Sequence, residues 1–178
     1  MAVEVFIANE QSAFPVDEDR WMRFALDILK SQKVSGNAEF SLIFVDKSAI
    51  AGLNERFMGK KGPTDVLSFP IETEPYAVGR SPDSSSNNQR SSSQDSVPFL
   101  LGDVVVCPEV ASENAREHAG INSHDGSLDD EMALLIVHGI LHLFGLDHEL
   151  DDEAEIMEER EQELLQLHYR KGSLPGAV

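Results

Sequence analysis

The sequence predicts an α+β domain: a small four-stranded sheet packed by helices, with a metal site at the end of its central helix. Three observations carry this. Segments rich in β-branched and aromatic residues occur at 3–8, 38–45, 64–70 and 99–107. Stretches with apolar residues at helical spacing lie between and after them. Finally, three of the six histidines fall within 138–148, at the close of an apolar run. At 178 residues the chain suits one domain and can bury a real core.

The elements follow in order. Val3-Glu4-Val5-Phe6-Ile7-Ala8 alternates as a strand. Asp17 or Asp19 can cap the next helix, where Trp21, Phe24, Ala25, Ile28 and Leu29 form an inward stripe. Its place in that row makes Trp21 a packing residue rather than a platform for a base. The second strand spans 38–45. A short helix over 47–58 is expected to turn Ile50, Leu53 and Phe57 inward. Lys60-Lys61-Gly62-Pro63 forms a basic turn, the best local candidate in an acidic chain for meeting a phosphate. Thr64-Asp65-Val66-Leu67-Ser68-Phe69-Pro70 centres on a third strand. The run 74–98 is serine-rich with little to bury, and reads as a disordered surface insertion. Chain entropy penalises such a loop only logarithmically in its length.

Residues 99–107 make a near-continuous apolar strand covered on both faces, in which Asp103 stands either at an exposed start or facing a site. Cys107 is the sole cysteine, so an intrachain disulfide and a thiolate cluster are excluded; it reads as a small buried hydrophobe. Pro108 opens a helix over 108–120 with Ala111 and Ala115 inward. Ser127 and Asp130 resemble a capping box, and Asp129, Asp130 and Glu131 suit the positive end of the helix dipole. The helix they start, 127–144, is apolar nearly all round and is the buried central one. From 147 to 163 there are ten acidic residues and one basic, the solvated face of a last helix with Ile156, Leu164 and Leu165 inward. A calcium loop is disfavoured there, since no sharp-turn glycine is present.

The 32 acidic against 14 basic residues give a formal charge of -18, which opposes nonspecific binding to nucleic acid but permits a local basic patch. Neither a signal peptide nor a membrane span is visible, so a cytoplasmic protein with no membrane contact is expected.

The site lies in His138-Gly139-Ile140-Leu141-His142-Leu143-Phe144-Gly145-Leu146-Asp147-His148. On a helix, His138 and His142 are one turn apart on one face. Gly145 suits the helix end, and the reversal it permits brings His148 round as a third ligand. Three neutral imidazoles with a fourth position left to water describe a catalytic zinc site. Asp147 is expected to hold the turn or accept the spare N–H of a ligand histidine. The spacing is that of metzincin proteases, which makes a metalloprotease the competing reading. Those enzymes carry a glutamate general base after the first histidine, where this chain has Gly139. Without that base a phosphodiester is the better substrate: the ion polarises a phosphoryl oxygen and lowers its water's pKa from 15.7 towards ~7 while lysines neutralise the phosphate.

The histidine motif resembles the signature of the bacterial YbeY proteins, the rRNA maturation factors. Thr64-Asp65-Val66-Leu67-Ser68-Phe69-Pro70 matches their second motif, Leu101-Gly102-Asp103-Val104-Val105 is similar to a third, and Leu53-Asn54 to the start of the helix before the second. The resemblance runs from about Val3 to Tyr169, the serine-rich insertion excepted. It implies an α+β fold with a mixed sheet and the metal in a cleft, and zinc held by His138, His142 and His148. It also implies a single-strand endoribonuclease acting in ribosomal RNA maturation, at the small-subunit 3′ end among other places, and in ribosome quality control, with RNA and ribosomal proteins as partners. Lys60 matches the family's lysine, and with Lys61 and Arg56 forms the candidate substrate contacts; no general base is assigned. Met58 stands where the family normally has an arginine, and Arg56 lies two residues earlier on a different helix face. That departure supports a third reading, a ribosome assembly factor with a structural metal.

Overall fold

A computed structural model describes residues 3–34, 37–71 and 99–170. Its strands are β1 (Val3–Asn9), β2 (Ala38–Phe44), β3 (Val66–Pro70) and β4 (Phe99–Val106). Its helices are α1 (Glu18–Ser31), α2 (Lys47–Met58), α3 (Pro108–His118), α4 (Leu128–Leu143) and α5 (Asp151–His168). The strands form one sheet in the order β1-β2-β4-β3. β1, β2 and β4 run parallel, as a helical crossover between β1 and β2 requires, and β3 pairs antiparallel with β4 at the edge. The sheet is therefore mixed.

Period-two alternation divides the side chains between two cores. Phe40, Leu42 and Phe44 of β2 and Val104 and Val106 of β4 face the larger one, shared with Trp21, Phe24, Ile28 and Leu29 of α1, Ile136, Val137, Ile140 and Leu141 of α4, and Leu164 and Leu165 of α5. Val105 and Cys107 face the other side, under α2, with Val45, Ile50 and Leu67. The apolar run of β4 is thus covered on both faces, as its pattern requires. Asp103 lies within the strand, opposite Ser41 and Phe69, and not at its start. Trp21 is 2% exposed, a packing residue. A bulge interrupts the β2–β4 register between Glu39 and Phe40, and Gly102 beside it has φ 138°. A Cβ there would stand 2.3 Å from the Phe69 carbonyl oxygen, so only glycine lets β3 approach β4.

Asp17 caps α1 by accepting from the Arg20 amide, and Asp46 caps α2 by accepting from Ala49. Ser127 Oγ accepts from the Asp130 amide at 3.1 Å, half of the expected capping box. The reciprocal half is made differently: Asp125 accepts from the Ser127 amide at 2.8 Å, and Asp130 accepts from Asp125. Two expected inward residues face out. Phe57 is 55% exposed and Ile156 56%. On α5 the inward stripe is phased on Met157, Glu161, Leu164 and Leu165 instead. The expected insertion at 74–98 lies outside the described residues, as does the chain from 171 onward. Among the described residues no helix is long and apolar enough to cross a membrane.

Candidate metal centre and its cleft

α4 ends in a Schellman arrangement: the Leu146 amide donates to Leu141 O at 3.2 Å and the Gly145 amide to His142 O at 3.0 Å, with Gly145 at φ 83°. This turn folds the following segment back over the last helical turn, where His138 and His142 project together. The three rings meet as a result. Their centroids are 4.6 Å apart for His138 and His142, 5.5 Å for His138 and His148, and 5.3 Å for His142 and His148. One nitrogen from each lies within 4.8 Å of the others.

The protonation pattern favours a shared cation. His138 Nδ1–H donates to the Glu161 carboxylate, which leaves the Nε2 lone pair free. That Nε2 lies 3.0 Å from His142 Nε2, so the two ring nitrogens face one another across a gap that a proton or a metal ion fills. Burial and the neighbouring His138 and His148 hold the His142 imidazolium below its ordinary pKa, which keeps the ring neutral as a ligand must be. His148 is exposed; Asp147 accepts from its backbone amide at 2.7 Å, and the same carboxylate oxygen stands 3.4 Å from its Nδ1. Asp147 therefore holds the turn, as expected. These donors fit a borderline-soft divalent ion such as zinc.

The histidines form one end of a cleft of about 480 Å³, also lined by Met58, Lys60, Asp65 and Ser68. Asn54, 6% exposed, shapes its rim: its carbonyl accepts from the Lys60 amide at 3.3 Å and its side chain donates to Gly62 O at 3.0 Å. Of the three expected substrate contacts, Lys60 lines this cleft. Lys61 and Arg56 are exposed and do not; the Arg56 guanidinium sits over the Phe57 ring. Asp65 is the carboxylate of the lining, and its oxygens are engaged by the Val66 amide and Asn114 Nδ2.

Gly139, where a metzincin would carry its glutamate, packs against the sheet. A Cβ there would fall 2.6 Å from Val104 Cγ1 and 3.2 Å from Ser68 Oγ, and Ser68 Oγ donates to Gly139 O. A glutamate cannot enter this position while α4 rests on β4.

Two buried carboxylates escaped the sequence reading. Glu161, in the run read as a solvated face, is 8% exposed, and Glu131, read only as a complement to the helix dipole, is 0% exposed. Phasing the last helix on Met157 rather than Ile156 would have exposed Glu161 as a lone acid on an apolar stripe. Glu131 Oε2 lies 2.7 Å from His118 Nδ1 and 2.9 Å from His124 Nε2. The Gly126 amide donates to His124 Nδ1, which places the His124 proton on Nε2, facing Glu131. Both imidazoles meet the same carboxylate oxygen, while Glu131 Oε1 is buried with no hydrogen-bond partner among the described residues; the group ties the loop before α4 to the helix.

The model of the family described as endoribonuclease YbeY matches residues 6–168. The chain is 43% identical to the endoribonuclease YbeY of Thermobifida fusca over 164 residues, 92% of each chain. It is likewise 43% identical to that of Acidothermus cellulolyticus over 166 residues, 93% of this chain and 90% of the relative. The solution structure of TM1509 from Thermotoga maritima superposes with a TM-score of 0.53 at 23% identity, covering 98% of both chains, and shares the fold. The chain belongs to the endoribonuclease YbeY family.

Proposed function

We propose that this protein is a zinc-dependent endoribonuclease that cleaves single-stranded regions of ribosomal RNA during maturation, including the small-subunit 3′ end, and serves ribosome quality control. It works in the cytoplasm on ribosomal particles, with RNA and ribosomal proteins as partners. The observation that carries the reading is the convergence of His138, His142 and His148 in a cleft that also holds Lys60 and has no room for a proteolytic glutamate at position 139.

His138, His142 and His148 would hold the ion. When bound, it supplies Lewis-acid polarisation of a phosphoryl oxygen and an acidified water. The side chains do the rest. Glu161 fixes the His138 tautomer so that Nε2 faces the cleft. Lys60 neutralises phosphate charge, and the Asn54 contacts keep the turn carrying it in place. Among the described residues Asp65 is the one carboxylate of the lining, and it accepts from the Val66 amide and Asn114 Nδ2. An RNA phosphodiester, whose phosphorus is attacked by water or the adjacent 2′-hydroxyl as the P–O bond to a leaving alkoxide breaks, suits this lining better than an amide.

Labelled single-stranded RNA and casein, each incubated with the purified protein with and without chelator, test the assignment. The expected result is RNA cleavage that is lost with chelator and with His142→Ala, and intact casein. Casein cleavage would establish a protease, and metal-loaded protein inert to both substrates would establish an assembly factor. Metal content of protein purified without an affinity tag decides between zinc and nickel, cobalt or copper, which the same three imidazoles accept.

A further inference from the structure

At the end of α2 an aromatic ring faces solvent beside the cleft. Phe57 is 55% exposed although its helix covers the smaller core. It meets Phe69 edge-on, with centroids 5.3 Å apart and planes at 71°, and the Arg56 guanidinium lies 5.2 Å from its centroid. The ring lies outside the cleft lining but adjoins it through Met58, the next residue, which lines the cleft, while Phe69 beneath it turns to the opposite face of β3 from Ser68 and Pro70. Lys60 and Lys61 follow within four residues, so this edge gathers three cations in a chain of net charge -18.

An exposed aromatic ring offers a flat π-face on which another planar group can stack. A partner that is flat and apolar on its face and negatively charged along its length matches a ring that carries a guanidinium and is followed in the chain by two lysines. A nucleotide of single-stranded RNA has that chemistry, a base with a π-face on a phosphate chain. A duplex does not, because its bases are already stacked.

We propose that Phe57, with the Arg56 guanidinium, is a stacking platform that holds the unpaired base of a nucleotide flanking the phosphate at Lys60. The inference rests on the endoribonuclease reading and deepens it: the platform selects single-stranded substrate and sets which phosphate enters the cleft.

Phe57→Leu keeps apolar volume against Phe69 and removes the stacking face, while Phe57→Trp enlarges it. Cleavage of a short labelled RNA is measured for wild type and both variants, with intact RNA and with RNAs carrying an abasic nucleotide at successive positions beside the cleaved bond. Loss of one stacked base is expected to raise KM roughly 5- to 150-fold in Phe57→Leu with kcat little changed, and Phe57→Trp is expected to restore it. One abasic position should weaken wild type by the same factor and leave Phe57→Leu unaffected. Equal KM for wild type and Phe57→Leu would overturn the platform, as would abasic losses of equal size in both proteins. RNA left uncut by wild type would sink the endoribonuclease reading instead. Fluorescence anisotropy with the same RNA then judges the platform alone, and equal Kd for wild type and Phe57→Leu refutes it.

Discussion

Two helical glycines in this protein should respond to alanine with opposite signs. Gly52 lies in α2 with nothing within 4 Å of a Cβ built on it. Alanine there should stabilise by about 0.5–1 kcal/mol through helix propensity. Gly139 lies in α4, where the same Cβ would stand 2.6 Å from Val104 Cγ1 and 3.1 Å from Val104 Cγ2. Val104 cannot step aside. It is β-branched with a stiff χ1, is fully buried, and sits in β4 between β2 and β3. Overpacking of this kind costs about 1–3 kcal/mol, and the depth of the clash puts Gly139→Ala near the upper figure. Subtracting about 1 kcal/mol of propensity leaves net destabilisation of about 2 kcal/mol. For a chain of this size that lowers Tm by about 4–8 °C. Pushing α4 off the sheet also strains the Ser68 Oγ bond to Gly139 O and shifts His138 and His142. Thermal denaturation of both variants, metal-free and metal-loaded, is the assay. A Gly139→Ala protein as stable as wild type, or stabilised like Gly52→Ala, would refute the close-packing account, and with it the steric argument against a glutamate at 139.

Removing the carboxylate behind the first ligand should loosen the metal: Glu161→Ala is expected to weaken zinc affinity 10- to 100-fold by calorimetry, whereas the exposed Glu163→Ala leaves it unchanged. Identical affinities would show that Glu161 does not orient His138. In metal-free protein, NMR titration should place His142 below the ordinary histidine value of 6.5. The sign follows from burial and two like-charged neighbours: folded protein binds fewer protons than unfolded chain beneath 6.5, so stability is full above that pH and declines as pH falls from it. A His142 midpoint at or above 6.5 contradicts this. Met58→Arg adds a cation to the cleft where the family normally has one, and should speed cleavage of single-stranded RNA; an unchanged rate would show that Lys60 already suffices.

Much of this molecule is legible along the chain because its determinants are local. Period-two and helical spacings depend on neighbours a few residues apart, so all four strands, the stripe of α1 and the wrapped α4 could be read directly. The same holds for His138, His142 and His148, whose convergence needs one helical turn and one glycine reversal. Phe57 and Ile156 were misplaced because a helix pattern specifies an apolar stripe only to within a residue, and the neighbouring elements choose the phase. Glu161 reaches His138 across 23 positions, and Glu131 gathers His118 and His124 from a loop. Nothing in an acidic run distinguishes a carboxylate that will be enclosed from one that stays in water, since the cost of burial and the imidazoles that offset it exist only once α5 and the loop have docked on α4. The sequence by itself names the three imidazoles that the structure brings together. The packing of α4 on β4 and α5 decided how they are aimed, and why position 139 must remain without a side chain.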